Sequence, residues 1–123
     1  MNWRTAAAVL ALLSPPAWAQ TTIIYARHDS AAMERLRAAV AVYDTVLIDR
    51  TIPAGEQWRA VMARAIIWSP RVLVLWSASA AQSVELGTEW RMALVAGARL
   101  IPVLLDDTPL PAELGARQGI DWR

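Results

Sequence analysis

The chain has 123 residues, of which 56% are hydrophobic and 19% charged, enough apolar content to bury a core and too little charge for a disordered segment. It contains no cysteine, which excludes disulfides, thiol catalysis and cysteine-based zinc sites, and every Lys/Arg position is an arginine. The formal net charge is +1 and the arginines are scattered, so no nucleic-acid surface is indicated.

The N-terminal segment differs from the rest of the chain. Arg4 precedes an apolar run at 6–13, and after a proline break the sequence Ala-Trp-Ala follows at 17–19. This order is typical of a secretory signal peptide, and the run is far shorter than the roughly 20 residues that span a bilayer. We therefore expect a signal peptide over 1–19 and a mature, exported domain over 20–123, without a membrane span after cleavage. A mis-assigned start would instead leave the protein in the cytoplasm.

From residue 21 onward, strand-like and helix-like segments alternate. Short β-rich or continuously apolar runs predict strands at 21–26, 45–49, 71–76, 99–105 and 119–122. Apolar residues at helical spacing predict helices at 30–43, 56–68 and 83–97. The segments at 51–55, 77–83 and 106–118 are predicted to be loops.

This alternation predicts an α/β fold built on a parallel sheet. Right-handed crossovers between five strands favour a flavodoxin-like three-layer fold with strand order 2-1-3-4-5. In that order the chain reverses direction between the first and third strands, and ligands bind in the crevice at such a switch point. A ligand is therefore expected near the loops that follow Ala26 and Trp76.

The third predicted helix carries two acids one turn apart, Glu85 and Glu89. On a helical wheel Leu86, Trp90 and Leu94 share the apolar sector, with Glu89 roughly 80° and Glu85 roughly 120° from its middle. Glu89 is therefore predicted to be half-desolvated on the flank of the helix, where a carboxylate is a candidate for chemistry. Helix acids are more often paired or solvated, so the wheel alone leaves that alternative open.

Four segments in order resemble a bacterial Toll/interleukin receptor (TIR) domain. They are "IIYARHDS", "LIDRTIPAGEQW", "VLVLWSASAAQSVELGTEWRMAL" and "LIPVLLDDTPLPAEL", and the resemblance covers 22–123. It implies a flavodoxin-like fold with a five-stranded parallel sheet, in agreement with the strand pattern above. It also implies a helix after the fifth strand, which is expected to be missing because this sequence stops at Arg123.

The resemblance implies one of two activities. Many TIR domains cleave NAD+ at the nicotinamide–ribose bond, so NAD+ would be a substrate and neither a cofactor nor a metal would be needed. Others assemble with further TIR domains as adaptors in signal transduction. We expect an NAD+ glycohydrolase that depends on self-assembly, with a non-catalytic TIR–TIR interaction module as the alternative.

The resemblance also implies functional residues. The catalytic carboxylate of NAD+-cleaving members follows a serine in the third helix, a pattern matched by Glu89 after Ser83. The implied substrate-binding residues are Arg27, His28, Asp29, Asp49, Gly55 and Ser83. The chain departs from the family at the first strand, where Tyr25-Ala26 replaces the usual Ser-Tyr pair.

Other functions fit the sequence less well. A phosphorylated receiver domain needs an acid at the end of the third strand and a later lysine, and neither is present. A nucleoside deoxyribosyltransferase-like enzyme shares the fold and a catalytic glutamate, and is a third alternative. His28 is the only histidine, and Asp106-Asp107 before "TPLP" is predicted to start a turn rather than to bind a cation.

Overall fold

A computed structural model describes residues 20–48, 58–117 and 119–123, with the backbone alone at Trp58. The described strands are β1 (Gln20–Ile24), β2 (Thr45–Leu47), β3 (Arg71–Trp76), β4 (Arg99–Leu104) and β5 (Ile120–Asp121). The described α-helices are α1 (Ser30–Ala41), α2 (Trp58–Trp68), α3 (Ala78–Gln82), α4 (Val84–Val95) and α5 (Ala112–Gly115). A 3₁₀ turn at Arg27–Asp29 joins β1 to α1.

The strands form one parallel sheet in the order β2-β1-β3-β4-β5, which confirms the predicted flavodoxin-like topology. All six residues of the central strand β3 are buried. The continuous apolar run at 72–76 is typical of such a strand, which is covered on both faces.

Two apolar layers enclose the sheet, which gives the three-layer architecture. On one face α1 buries Met33, Leu36 and Val40 against the strands, and it is the only described helix in that layer. On the other face α2, α3, α4 and α5 cover the sheet, and Trp90 of α4 is the largest fully buried side chain among the described residues. Each large apolar side chain that is fully buried in these layers contributes about 1.5–3 kcal/mol to the stability of the fold.

A buried ion pair joins three strands at the amino-terminal edge of the sheet. Arg71, at the start of β3, donates to Asp44 at 3.1 Å, and the two side chains are 5% and 2% exposed. Thr21 of β1 donates a second hydrogen bond to the same carboxylate oxygen, at 2.6 Å. Because Asp44 immediately precedes β2, its carboxylate ties the beginnings of β1, β2 and β3 together.

The helix predicted to end at Tyr43 ends at Ala41, and Tyr43 is exposed instead of lying on the apolar face of that helix. The chain turns at this point, where the Tyr43 N–H donates to the carbonyl oxygen of Val40 at 2.9 Å. Because the helix stops early, Asp44, the residue after Tyr43, lies next to Arg71. The periodicity of the sequence extends past the turn, but the helix ends before Asp44, whose carboxylate accepts hydrogen bonds from Thr21 and Arg71.

Two segments predicted to be loops contain short helices, α3 within 77–83 and α5 within 106–118. Neither is long enough to show a helical repeat in the sequence. Pro102 lies inside β4, opposite Val74 of β3. It is tolerated there because β5 pairs with β4 only at Val103 and Leu104, so Pro102 has a strand neighbour on one side.

The remaining expectations concern the chain ends and the second loop. The signal peptide at 1–19 and the loop at 51–55 lie outside the described residues. Only Trp122 and Arg123 follow β5, so no helix follows the fifth strand in the described part of the chain. No described helix is both long and apolar enough to cross a bilayer.

We expect Asp44→Ala to lower the free energy of unfolding by about 3 kcal/mol, because it leaves the Arg71 guanidinium buried without its carboxylate. Urea unfolding followed by circular dichroism measures the change. Glu34→Ala is the matched control, since it removes an ion pair with Arg37 in which both side chains are 38% exposed. That control should cost less than about 1 kcal/mol. Equal losses in the two variants would show that the buried pair does not hold the strands together.

Candidate functional site

The candidate site lies at the carboxyl-terminal ends of β1 and β3, the two neighbouring strands at which the topology switches direction. After β1 the chain passes through the 3₁₀ turn into α1, which packs on one face of the sheet. After β3 it enters α3 and then α4, which pack on the other face. The helices diverge from this edge, and a crevice is left between them.

A cleft of about 540 Å³ occupies this crevice, and we call it the switch-point cleft. It is lined by Tyr25, Ala26, Arg27, Ser30, Ser83, Glu85, Leu86 and Glu89. A volume of this size is within the range of small-molecule sites, about 300–1,000 Å³. The cleft therefore lies where the strand order predicted a ligand.

The two acids of α4 differ in burial as the helical wheel predicted. Glu89 is half-buried, whereas 54% of the Glu85 side chain is exposed. Both line the switch-point cleft, with Glu85 one turn nearer the start of the helix. The buried face of the same helix, with Leu86 and Trp90, fixes their orientation because it is anchored in the core.

Ser83 lines the cleft but its hydroxyl already has a structural role. It is the N-cap of α4 and accepts a hydrogen bond from the Leu86 N–H at 3.0 Å. Such a cap satisfies one of the free N–H groups at the start of a helix. Ser83 thus sets where α4 begins, and hence where Glu85 and Glu89 stand along the cleft.

Asp29 connects the two loops of the crevice. Its carboxylate accepts a hydrogen bond from the Ser77 hydroxyl at 2.6 Å, and that hydroxyl in turn accepts from the Ala80 N–H at 3.0 Å. The loop after β1 is thereby bonded to the cap of α3. Asp29 is not among the residues that line the cleft, so its geometry favours a positioning role over substrate contact.

The structure places the other predicted binding residues as follows. Arg27 is exposed and lines the cleft, whereas His28 is exposed and does not line it. Asp49 and Gly55 lie outside the described residues. The structure therefore brings Arg27, Ser83 and Glu89 together in one cleft.

Three lining residues that carry polar groups were not among the predicted binding residues: Tyr25, Ser30 and Glu85. Tyr25 is half-buried and packs partly against the core beneath α1, so it belongs both to that core and to the lining of the cleft. Its position directly after β1 was a usable signal, because residues at strand ends face such crevices. Ser30 and Glu85 had no comparable signal, since each looks like an ordinary residue of a first helical turn.

Asp106, beyond the end of β4, fastens the loop that leads to α5. Its side chain accepts hydrogen bonds from the Thr108 N–H at 2.9 Å and from the Ala78 N–H of α3 at 3.0 Å. The pKa of Asp106 lies below its ordinary value of 3.8, mainly because Thr108 donates hydrogen bonds to the carboxylate. The hydrogen bond from Ala78 lowers the pKa further. The bond to Thr108, two residues on, confirms the predicted turn.

No group of three or more histidine and acidic side chains among the described residues is arranged to hold a metal ion. The chemistry available in the switch-point cleft is that of one half-buried carboxylate, a second exposed carboxylate and an arginine.

Comparison with known proteins gives two findings. A family model described as TIR domain matches residues 21–123. The solved TIR domain of the Toll-related receptor TRR-2 from the lower metazoan Hydra magnipapillata matches with a TM-score of 0.73 and 20% sequence identity, over 83% of this chain and 82% of that chain. At this identity the likeness concerns the fold alone. A search of curated proteins gives no relative of this sequence.

We expect Asp106→Ala to lower the free energy of unfolding by about 1 kcal/mol at neutral pH, because Ala78 and Thr108 lose their acceptor. The lowered pKa means that the folded state prefers the carboxylate. The Asp106 carboxylate therefore makes its full contribution to stability above the pKa that it has in the unfolded chain. That contribution is lost as the pH falls through the pKa that Asp106 has in the folded protein.

Urea unfolding of wild type and variant across acidic and neutral pH measures this difference, which should shrink as the pH falls below the ordinary aspartate pKa of 3.8. Asp107→Ala is the control, because Asp107 is exposed and its ion-pair partner is Arg123 at the chain end. A difference between Asp106→Ala and wild type that stays constant with pH would contradict a role for the carboxylate.

Proposed function

Because the chain belongs to the TIR domain family, we propose that it cleaves NAD+ at the nicotinamide–ribose bond with Glu89 as the catalytic carboxylate. The observation that carries the proposal is the position of Glu89. It is half-buried on the wall of a cleft of about 540 Å³ at the switch point of the sheet, the place where this fold binds ligands.

A single carboxylate suits this reaction. The bond between the ribose C1′ and the nicotinamide nitrogen breaks, both electrons leave with the nitrogen, and nicotinamide departs as a neutral molecule that needs no acid. Positive charge develops on the ribose, and a nearby carboxylate stabilises it. Water then attacks C1′ and gives its extra proton to the solvent, and in this proposal the Glu89 carboxylate orients that water.

Burial strengthens the effect of this carboxylate. A charge that is partly withdrawn from solvent acts through a lower effective dielectric constant than an exposed one. Glu89 is half-buried and Glu85 is exposed, so Glu89 is the stronger stabiliser of positive charge in the cleft. This difference in burial favours Glu89 over Glu85 without reference to the family.

Arg27 supplies the complementary charge. Its guanidinium lines the same cleft, and an arginine remains protonated at physiological pH. We propose that it binds the diphosphate of NAD+, for which the fork of a guanidinium is well shaped. The ring of Tyr25 offers an apolar surface in the same cleft for a base or for nicotinamide.

We expect Glu89→Ala to lower the rate of nicotinamide release by about a hundredfold or more, because the developing positive charge loses its partner. Chromatographic assay of NAD+ and nicotinamide measures the rate, at high protein concentration or with a crowding agent so that self-assembly does not limit it. Glu85→Ala is the matched control, one turn away on the same helix, and should keep most of the activity. Release that persists in Glu89→Ala would contradict the assignment.

A second candidate function is a non-catalytic TIR–TIR interaction module in signal transduction. It is favoured by apolar side chains exposed at the carboxyl-terminal ends of α2 and α4. Trp68 is 81% exposed and Val95 is 91% exposed. Ile67 of α2 and Val95 of α4 border a shallow, mostly apolar groove, whose other lining residues are Thr88, Arg91, Met92 and Ala96. Exposed apolar groups in such a cluster often mark an interaction surface.

We expect Val95→Lys to weaken self-association about tenfold, because the ammonium would be desolvated at a contact between copies. The lysine itself is compatible with the last turn of a helix. Val42→Lys is the control, at the C-cap of α1 on the other face of the sheet, where the valine is 73% exposed. Sedimentation velocity measures both. Equal weakening by the two variants, or a wild type that stays monomeric, would contradict the use of this surface.

A further inference from the structure

A second cleft, of about 510 Å³, lies on the other flank of α4, between this helix and the loop that leads from β4 to α5. Ser83 lines both this cleft and the switch-point cleft, and the two share no other described residue. Residues 109–111 of the loop form one side. The other side is one face of α4, with residues three or four positions apart: Val84, Gly87, Thr88 and Arg91. We call it the Arg91 cleft.

The loop side of the cleft is held in place by hydrogen bonds. The indole N–H of Trp76, at the end of β3, donates to the carbonyl oxygen of Pro109 at 3.0 Å. Asp106, earlier in the same loop, accepts from the N–H of Ala78 in α3 at 3.0 Å. Residues 109–111 are a leucine between two prolines, so they form an apolar wall. Because that wall is preformed, a ligand can bury apolar surface there without first ordering the loop.

Arg91 supplies the charge of the cleft, and its guanidinium is held against its own helix. The guanidinium carbon lies 4.5 Å from the centroid of the Trp90 ring, within the range of a cation–π interaction. Gly87, one turn earlier, leaves the room for this position, because a Cβ atom there would stand 2.8 Å from Nη1 of Arg91. Glycine is a weak helix former, and the packing of Arg91 gives it a use in the middle of α4.

No acid neutralises the stacked guanidinium. Among the described residues no carboxylate forms an ion pair with Arg91, and no acidic side chain lines this cleft. The acids of the same helix, Glu85 and Glu89, line the switch-point cleft on its other flank. Stacking on the Trp90 ring uses one face of the guanidinium and leaves the N–H groups at its edge available to an acceptor. The Arg91 cleft therefore combines one positive charge with an apolar wall.

We propose that the Arg91 cleft binds a small organic monocarboxylate. The carboxylate accepts two hydrogen bonds from the edge of the guanidinium, whose fork matches its shape, and the apolar body lies on Leu110 and the two prolines beside it. One guanidinium balances one negative charge, whereas a phosphate dianion would keep a charge without a partner and an ammonium group would meet a cation. The proposal does not depend on NAD+ cleavage, and its test measures binding alone.

The tryptophan indole N–H groups provide the readout. In the full chain with isotope-labelled tryptophan, phenylacetate should shift the NMR signals of Trp76 and Trp90 with a Kd of about 1 mM. Trp122 is an internal control, because it packs against the core on the opposite face of the sheet and should not respond. The neutral isostere phenylacetamide should bind at least about threefold more weakly, a modest factor because Arg91 is exposed and water screens its charge. Inorganic phosphate at the same concentration should not displace phenylacetate.

Three variants separate pairing with Arg91 from a general structural effect. Arg91→Gln should weaken the binding of phenylacetate about fivefold, because the charge and the N–H fork are lost. Arg99→Gln is the matched control and should leave the affinity unchanged, since Arg99 is exposed at the start of β4, at the opposite edge of the sheet. Gly87→Ala should weaken binding about threefold, because the added methyl group displaces the guanidinium.

The glycine variant should not lose stability in a urea titration. Alanine is the better helix former, and only the flexible end of Arg91 stands near the added Cβ atom. Weaker binding without weaker folding would not arise from loosened packing. The proposal is overturned if the signals of Trp76 and Trp90 do not move, if phenylacetamide binds as well as phenylacetate, if phosphate displaces it, or if Arg91→Gln binds as tightly as wild type.

Discussion

The pairing of β1 with β3 is the constraint on which the rest of the molecule depends. β1 pairs with β2 on one side and with β3 on the other, always in parallel. A right-handed connection from β1 to β2 must then cover one face of the sheet, and the connection from β3 to β4 must cover the other. The two sets of helices diverge where these strands end, so the switch-point cleft is a consequence of strand order.

Polar contacts at both ends of these strands fix the arrangement. At the amino-terminal edge the buried pair of Asp44 and Arg71 joins the beginnings of the strands. At the carboxyl-terminal edge Asp29 and Ser77 join the loops that follow them. Pairs of this kind add modest net stability, because desolvation offsets much of their attraction. These contacts specify the geometry instead. The Asp44–Arg71 pair requires this register of the strands, and the Asp29–Ser77 hydrogen bond requires this arrangement of the two loops.

The helix α4 connects the core to every candidate surface. Its buried face, with Leu86 and Trp90, anchors it on the sheet, and its flank carries Glu85 and Glu89 on the wall of the switch-point cleft. Its last turn carries Val95 at the exposed apolar surface. Because a helix is stiff over this length, a contact made at the surface near Val95 acts on the same element that positions Glu89. The proposed enzymatic and assembly functions are thus compatible with each other.

The sequence by itself determined the order of the strands and of the three long helices α1, α2 and α4, the sheet topology and the half-buried position of Glu89, because burial follows the local period of each element. The tertiary structure alone decided which loop residues reach the cleft. Nothing local distinguishes His28, which lies outside the cleft, from Arg27, which lines it. The bond between Asp29 and Ser77 joins residues 48 positions apart. Such contacts depend on where two loops meet in space, and a repeat within one segment carries no information about them.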